Sequence, residues 1–218
     1  KKNGIVFILD EMITGFRWHM KGAQYLYGVD PDLSTFGKAM ANGFSVSCVA
    51  GKRKIMELGS IEKLGQERTF LLSTTHGAEM CGLGAFVETI KFMKDNSVIE
   101  HMWKYGYDLK RLINNLANDF NLSKNIIAEG PSCSPIYIVK DNNGNISLPL
   151  KTLFSQEMIK NGVLMPWITL CYRHGPKELR KTELALKNTL IVIKKALDGN
   201  INNYLIGDSI KPVFRKYN

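Results

Sequence analysis

The unbroken apolar run Ile5 to Leu9 constrains this chain more than any other stretch. Five consecutive residues without a polar alternate predict a strand covered on both faces, the pattern of a parallel sheet packed between layers. The run stops at two carboxylates, Asp10 and Glu11. An acid that ends a doubly buried strand needs a cation to meet, and Asp10 is the candidate.

The rest of the chain continues the α/β reading. PDLSTFGK (31–38) gives a short extended run that ends at Lys38, and SVSCVAG (45–51) gives a further strand. A short helix in KRKIMELG (52–59) comes next, and TFLLSTT (69–75) reads as extended. From Gly77 a helix begins, with Met80, Leu83, Val87, Ile90 and Met93 on one face. Ser97 and Glu100 form a capping box for the next helix, in which Met102, Tyr105, Leu109, Leu112, Leu116 and Phe120 recur at three- and four-residue steps. SPIYIVKDNNGNISL (134–148) reads as strand, Asn/Gly turn, strand. A helix over 152–161 stops at Gly162, VLMPW (163–167) reads as a strand, and Pro176 opens a last helix that ends at Gly199. The expected division is a large-domain part over 1–96, a connecting helix over 97–120 and a small α+β domain over 121–218.

Charge and composition remove several classes of function. The net charge is +9, but the 29 Lys and Arg are scattered and form no five-residue block. That argues for a solvated surface and an anionic small ligand rather than nucleic acid. No apolar run reaches the roughly 20 residues that span a bilayer, so no membrane partner is expected. Cys48, Cys81, Cys133 and Cys171 are far apart and lack a CxxC spacing, which suits reduced thiols in the cytoplasm. His19, His76, His101 and His174 lack HxH or HExxH spacing, so no metal site is predicted. The chain opens KKNG, without an initiator Met, and is read as a piece of something longer.

Three features then carry chemistry: Asp10 after a strand, Lys38 after a strand, and a Thr-rich turn (Ser73, Thr74, Thr75) opening a helix. Ligands of open parallel sheets bind outside the carboxyl ends of the strands, where all three would lie. A lysine and an aspartate together are what pyridoxal phosphate (PLP) needs. The amine forms a Schiff base with the aldehyde, and the acid keeps the ring nitrogen protonated. Hydroxyls and N–H groups at a helix start suit the phosphate.

DEMITGFR (10–17) resembles the segment carrying the cofactor aspartate in fold-type I, class III PLP-dependent aminotransferases. GAQYLYGVDPDLSTFGKAMANGFSVSCVAGKRKIME (22–57) is similar to the family's next segment, with the cofactor lysine in T-x-G-K. STTHGAEM (73–80) is similar to a later turn of the family. The closest likeness is to the glutamate-1-semialdehyde 2,1-aminomutases and their aminotransferase relatives. ANGFSVSCVAG departs from the GGGLPVGAYGG of the aminomutases, and both specificities stay open.

The resemblance implies part of a fold-type I large domain, a mostly parallel sheet with helices on both faces, followed by a small α+β domain. It implies that Lys38 holds PLP covalently and moves a proton. It also implies that Asp10 binds the pyridine nitrogen, that Met12 packs under the ring and that Thr74 reaches the phosphate of a partner subunit's cofactor in a homodimer. The substrates implied are a small-molecule amino donor and an aldehyde or ketone acceptor. Arg17 is read as a loop residue, and Arg173 as a surface-loop residue or a carboxylate ligand. The family's main phosphate loop and ring-stacking aromatic lie upstream of the aspartate and are absent from these residues. The competing reading is a non-catalytic fragment or paralogue that serves as a dimer-interface module.

Overall fold

A computed structural model describes residues 3–68 and 77–211, so the extended segment expected over 69–75, with Thr74, lies outside the described residues. Chain contacts divide the protein into two compact units, Lys1–Glu100 and His101–Asn218.

The first unit is built on a three-stranded sheet, β1 (Ile8–Asp10), β2 (Leu33–Phe36) and β3 (Cys48–Gly51), in that spatial order. β1 and β2 run parallel with Asp10 opposite Thr35, and β3 is antiparallel to β2. Between β1 and β2 lies the single-turn helix α1 (Ala23–Leu26), and α2 (Arg53–Met56) comes after β3. The strand expected over 4–9 pairs only from Ile8. Upstream, Asp32 extends the contact: its Oδ2 accepts from Phe7 N at 2.9 Å, and its N–H donates to Phe7 O at 2.8 Å. Lys52 Nζ neutralises the Asp32 Oδ1 at 2.8 Å.

The double burial expected of the run is not what the structure shows. Ile5 is 69% and Ile8 55% exposed. Among the described residues β1 has β2 as its one hydrogen-bonded neighbour, and nothing layers over these side chains. α3 (Met80–Asp95) departs from its expected face for a related reason. Met80 is 82% exposed and Val87 61%, whereas the helix rests on Gly82, against Val46, and on Phe86, whose ring meets Phe16 edge-on at 5.8 Å. Of the expected face Met93 is buried, at the far end of the helix, and Gly82 permits the close approach to Val46.

α4 (Val98–Asp119) begins in the first unit and runs into the second. Ser97 precedes it with φ 49°, a left-handed backbone rather than the extended one of an N-cap. The second unit then holds β4 (Ile126–Glu129), β5 (Ile136–Val139), α5 (Leu148–Lys160) and α6 (Pro176–Leu197). The expected hairpin is corrected here. β5 pairs antiparallel with β4, a strand the pattern reading missed, while the downstream arm keeps a single bridge, Lys140 to Ile146. Asp141 Oδ1 closes that turn by accepting from the N–H of Asn143 and Asn145, both at 2.9 Å. VLMPW is irregular rather than a strand, since residues 163–167 have no ladder partner among the described residues. Its side chains still serve the core, with Met165 buried.

Leu109, Ile113 and Leu116 of α4, Phe154 and Met158 of α5, and Leu186, Leu190 and Ile193 of α6 close one apolar core under the β4–β5 pair. α5 starts properly capped, with the Ser147 hydroxyl accepting from Leu150 N at 3.3 Å. Among the described residues no helix is long and apolar enough to cross a membrane. Within this core the Thr189 hydroxyl is fully buried and has no hydrogen-bond partner among the described residues. Replacing it by a shape-matched methyl removes that desolvation cost. Thr189→Val is therefore expected to raise stability by about 1 kcal/mol, read as a higher urea midpoint with an unchanged slope.

Candidate cofactor site

Asp10 and Lys38 come to one edge of the sheet because their strands are parallel neighbours. Asp10 closes β1, and Lys38 opens a 3-10 turn (Lys38–Ala41) two residues beyond β2. Asp10 is exposed, yet its Oδ1 is engaged twice, by Met12 N–H at 3.0 Å and by the Thr35 hydroxyl at 3.0 Å. The Met12 bond, then the Thr35 bond, and more weakly the nearby Lys38 charge hold the carboxyl below the ordinary aspartate range. Oδ2 has no hydrogen-bond partner among the described residues.

Lys38 sits at φ 45°, in the left-handed region that a non-glycine residue enters at a cost of about 1–3 kcal/mol. Its side chain is exposed and makes no hydrogen bond or ion pair among the described residues. Met12 lies on Gly37, just before it: a Cβ there would meet the Met12 Cε and Sδ and make that flexible side-chain end shift. The methionine that hydrogen-bonds Asp10 through its backbone thus packs its thioether against the turn that carries Lys38. Beside Thr35 a cavity of about 570 Å³ opens, lined by Met12, Leu33, Thr35, Phe36, Ser47, Cys48, Val49 and Met56. Burial pushes the Cys48 thiol up, so it is protonated at neutral pH. Another cavity, of about 460 Å³ between Tyr105 and Thr182, belongs to the second unit, which carries none of these residues.

The neighbouring acid has the opposite character. Glu11 is fully buried and accepts from the Thr14 hydroxyl, from Ala23 N at 2.9 Å and from Gln24 N at 2.8 Å. It ties the loop after β1 to the start of α1. Gly22 has φ 78°, and a Cβ there would lie 2.5 Å from Glu11 Oε1, so both backbone and space require glycine. Arg17 lies in the same loop, its N–H donating to Thr14 O at 3.2 Å. Arg173 is exposed in the turn before α6.

Pattern reading missed two participants. Thr35 could have been found by laying the parallel strand ends side by side, which sets it opposite Asp10. Glu11 was announced only by the Thr three residues later.

A family model for the class-III aminotransferases matches residues 1–171. The 3-aminobutyryl-CoA aminotransferase of Cloacimonas acidaminovorans is 30% identical over 199 residues, which are 88% of this chain and 45% of that protein. The glutamate-1-semialdehyde 2,1-aminomutase of Fusobacterium nucleatum is 30% identical over 207 residues, 86% of this chain and 46% of its own length. The FumI protein of Sphingopyxis sp. MTA144, solved in its PLP internal aldimine form, superposes with a TM-score of 0.78 at 18% identity, covering 90% of this chain and 45% of that one. The fold is shared. The chain spans about half the length of the curated relatives it matches.

The two acids should separate experimentally. Glu11→Gln weakens three bonds to a buried charge and is expected to cost about 2 kcal/mol, seen as a lower thermal midpoint and faster proteolysis in residues 11–26. Asp10→Asn should leave that midpoint close to wild type.

Proposed function

The chain belongs to the class-III aminotransferases, and on that footing we propose that it carries the ring-facing half of a PLP site. The reaction is transfer of an amino group between a small-molecule amino donor and an aldehyde or ketone acceptor. The observation that carries this reading is the juxtaposition at one sheet edge of an exposed carboxylate and a lysine on strained backbone, with Asp10 Oδ2 and Lys38 Nζ both unpartnered among the described residues. The donor set fits the cofactor's ring and aldehyde. Asp10 Oδ2 is an ionised acceptor for a protonated ring nitrogen, Lys38 Nζ is a free amine for the aldehyde carbon, and the Met12 thioether offers an apolar rest below a ring.

Bound PLP supplies an electron-accepting pyridinium. The protein's share is positional and protonic. Asp10 keeps the ring nitrogen protonated by charge and hydrogen bond. Lys38 Nζ would hold the cofactor through its aldehyde carbon and would move a proton to and from the substrate carbon.

We read the assembly as a cytoplasmic homodimer. The likeness of STTHGAEM to the family's turn supports a role for Thr74, outside the described residues, at the phosphate of the partner subunit's cofactor. Cys48, Cys81, Cys133 and Cys171 form no disulfide among the described residues, which suits a reducing compartment. One curated relative is an aminotransferase and another an aminomutase, and the reading leaves the choice between the two reactions open.

Borohydride treatment of the PLP-loaded protein, followed by peptide mapping, is expected to place the reduced cofactor on Lys38. Its appearance on another lysine overturns the assignment, and its absence from every lysine favours a non-catalytic interface module. Asp10→Asn should lower turnover by on the order of a hundredfold or more, the cost of removing a preorganised charge. Near-normal turnover would make Asp10 a loop acid.

A further inference from the structure

We propose that Thr35 is a positioning residue for the cofactor's ring nitrogen, because its hydroxyl and Met12 N–H fix Asp10 Oδ1 and leave Oδ2 as the oxygen presented to the ring. The proposal rests on the reading of Asp10 given above. Three observations carry it. The parallel register sets Thr35 directly opposite Asp10. Both donors reach the same oxygen at 3.0 Å, one from the residue two positions along the chain and one from the next strand. The carboxylate therefore cannot turn about its Cβ–Cγ bond without breaking two hydrogen bonds at once. Thr35 is also β-branched in a strand, where its own side chain has few rotamers. A freely rotating carboxylate would present either oxygen to the ring, whereas this one presents Oδ2.

The hydroxyl does a second thing. It donates to the charged form of Asp10 and so favours that form, alongside Met12 N–H and the charge of Lys38, the charged side chain that acts on Asp10 from the neighbouring strand end. Serine would keep the donor; valine would keep the shape and remove it. The two substitutions therefore separate hydrogen bonding from packing.

The test uses two readouts, one of which needs no cofactor. Carbon-13 NMR of the cofactor-free protein tracks the titration of the Asp10 carboxyl, and fluorescence titration gives the PLP dissociation constant. Thr35→Val is expected to move the Asp10 titration to higher pH. It should raise the dissociation constant by roughly threefold to tenfold, the effect of one charge-assisted hydrogen bond at an exposed site. Thr35→Ser should restore both. If valine disturbs the strand, as circular dichroism would reveal, Thr35→Ala against Thr35→Ser makes the same comparison. Wild-type titration and affinity in the donor-free variant would overturn the assignment. An unchanged PLP affinity in Asp10→Asn would overturn the cofactor reading itself, and this assignment with it, whatever Asp10's titration does in Thr35→Val.

Discussion

The arrangement of the site depends on one pairing, the parallel ladder between β1 and β2. It sets Asp10 opposite Thr35 and brings the turn at Lys38 to the same edge. A slip of one residue would send Thr35 to the other face of the sheet and leave Asp10 without its side-chain donor. The ladder is only three pairs long, and Asp32 lengthens it by lending a carboxylate as acceptor for Phe7 N. An ion pair with Lys52 keeps that carboxylate in place. Charge thus holds the register at one end of the short strand, and the Asp10 carboxylate closes the other.

Asp10 and Glu11 show how little separates a buried, saturated acid from an exposed one. They are adjacent, yet the strand's alternation sends them to different surroundings. Glu11 turns inward to three donors and is saturated. Asp10 turns outward to two donors on a single oxygen, and its other oxygen has no partner among the described residues. Burial alone would have chosen the wrong residue as the unusual one.

Much of this was legible beforehand, and the misses have identifiable causes. Asp10 and Lys38 stand out because each ends an extended run, and strand ends can be read from local pattern. The long helices read well for the same reason: α4 and α6 bury what their periodicity exposes to the core, such as Leu109, Leu116, Leu186 and Leu190. β4 escaped because four residues between a helix and a Gly-Pro turn carry too little pattern, and its strand character comes from β5. The stripe on α3 misled because hydrophobicity says where a side chain would gain from burial, not whether a neighbour is there to bury it. Ile5 to Ile8 teach the same lesson.

The left-handed backbone at Lys38 has a consequence for what natural variation can do there. Along a strand, successive residues are bound to alternate faces, so a lysine on the ladder would be aimed by the sheet. One residue of reversed handedness releases Lys38 from that alternation. Branching at Cβ would be resisted by the backbone before chemistry was consulted, and glycine would relax the turn while removing the arm. On conformational grounds alone the position would favour glycine, asparagine or aspartate, so the backbone does not account for a lysine there.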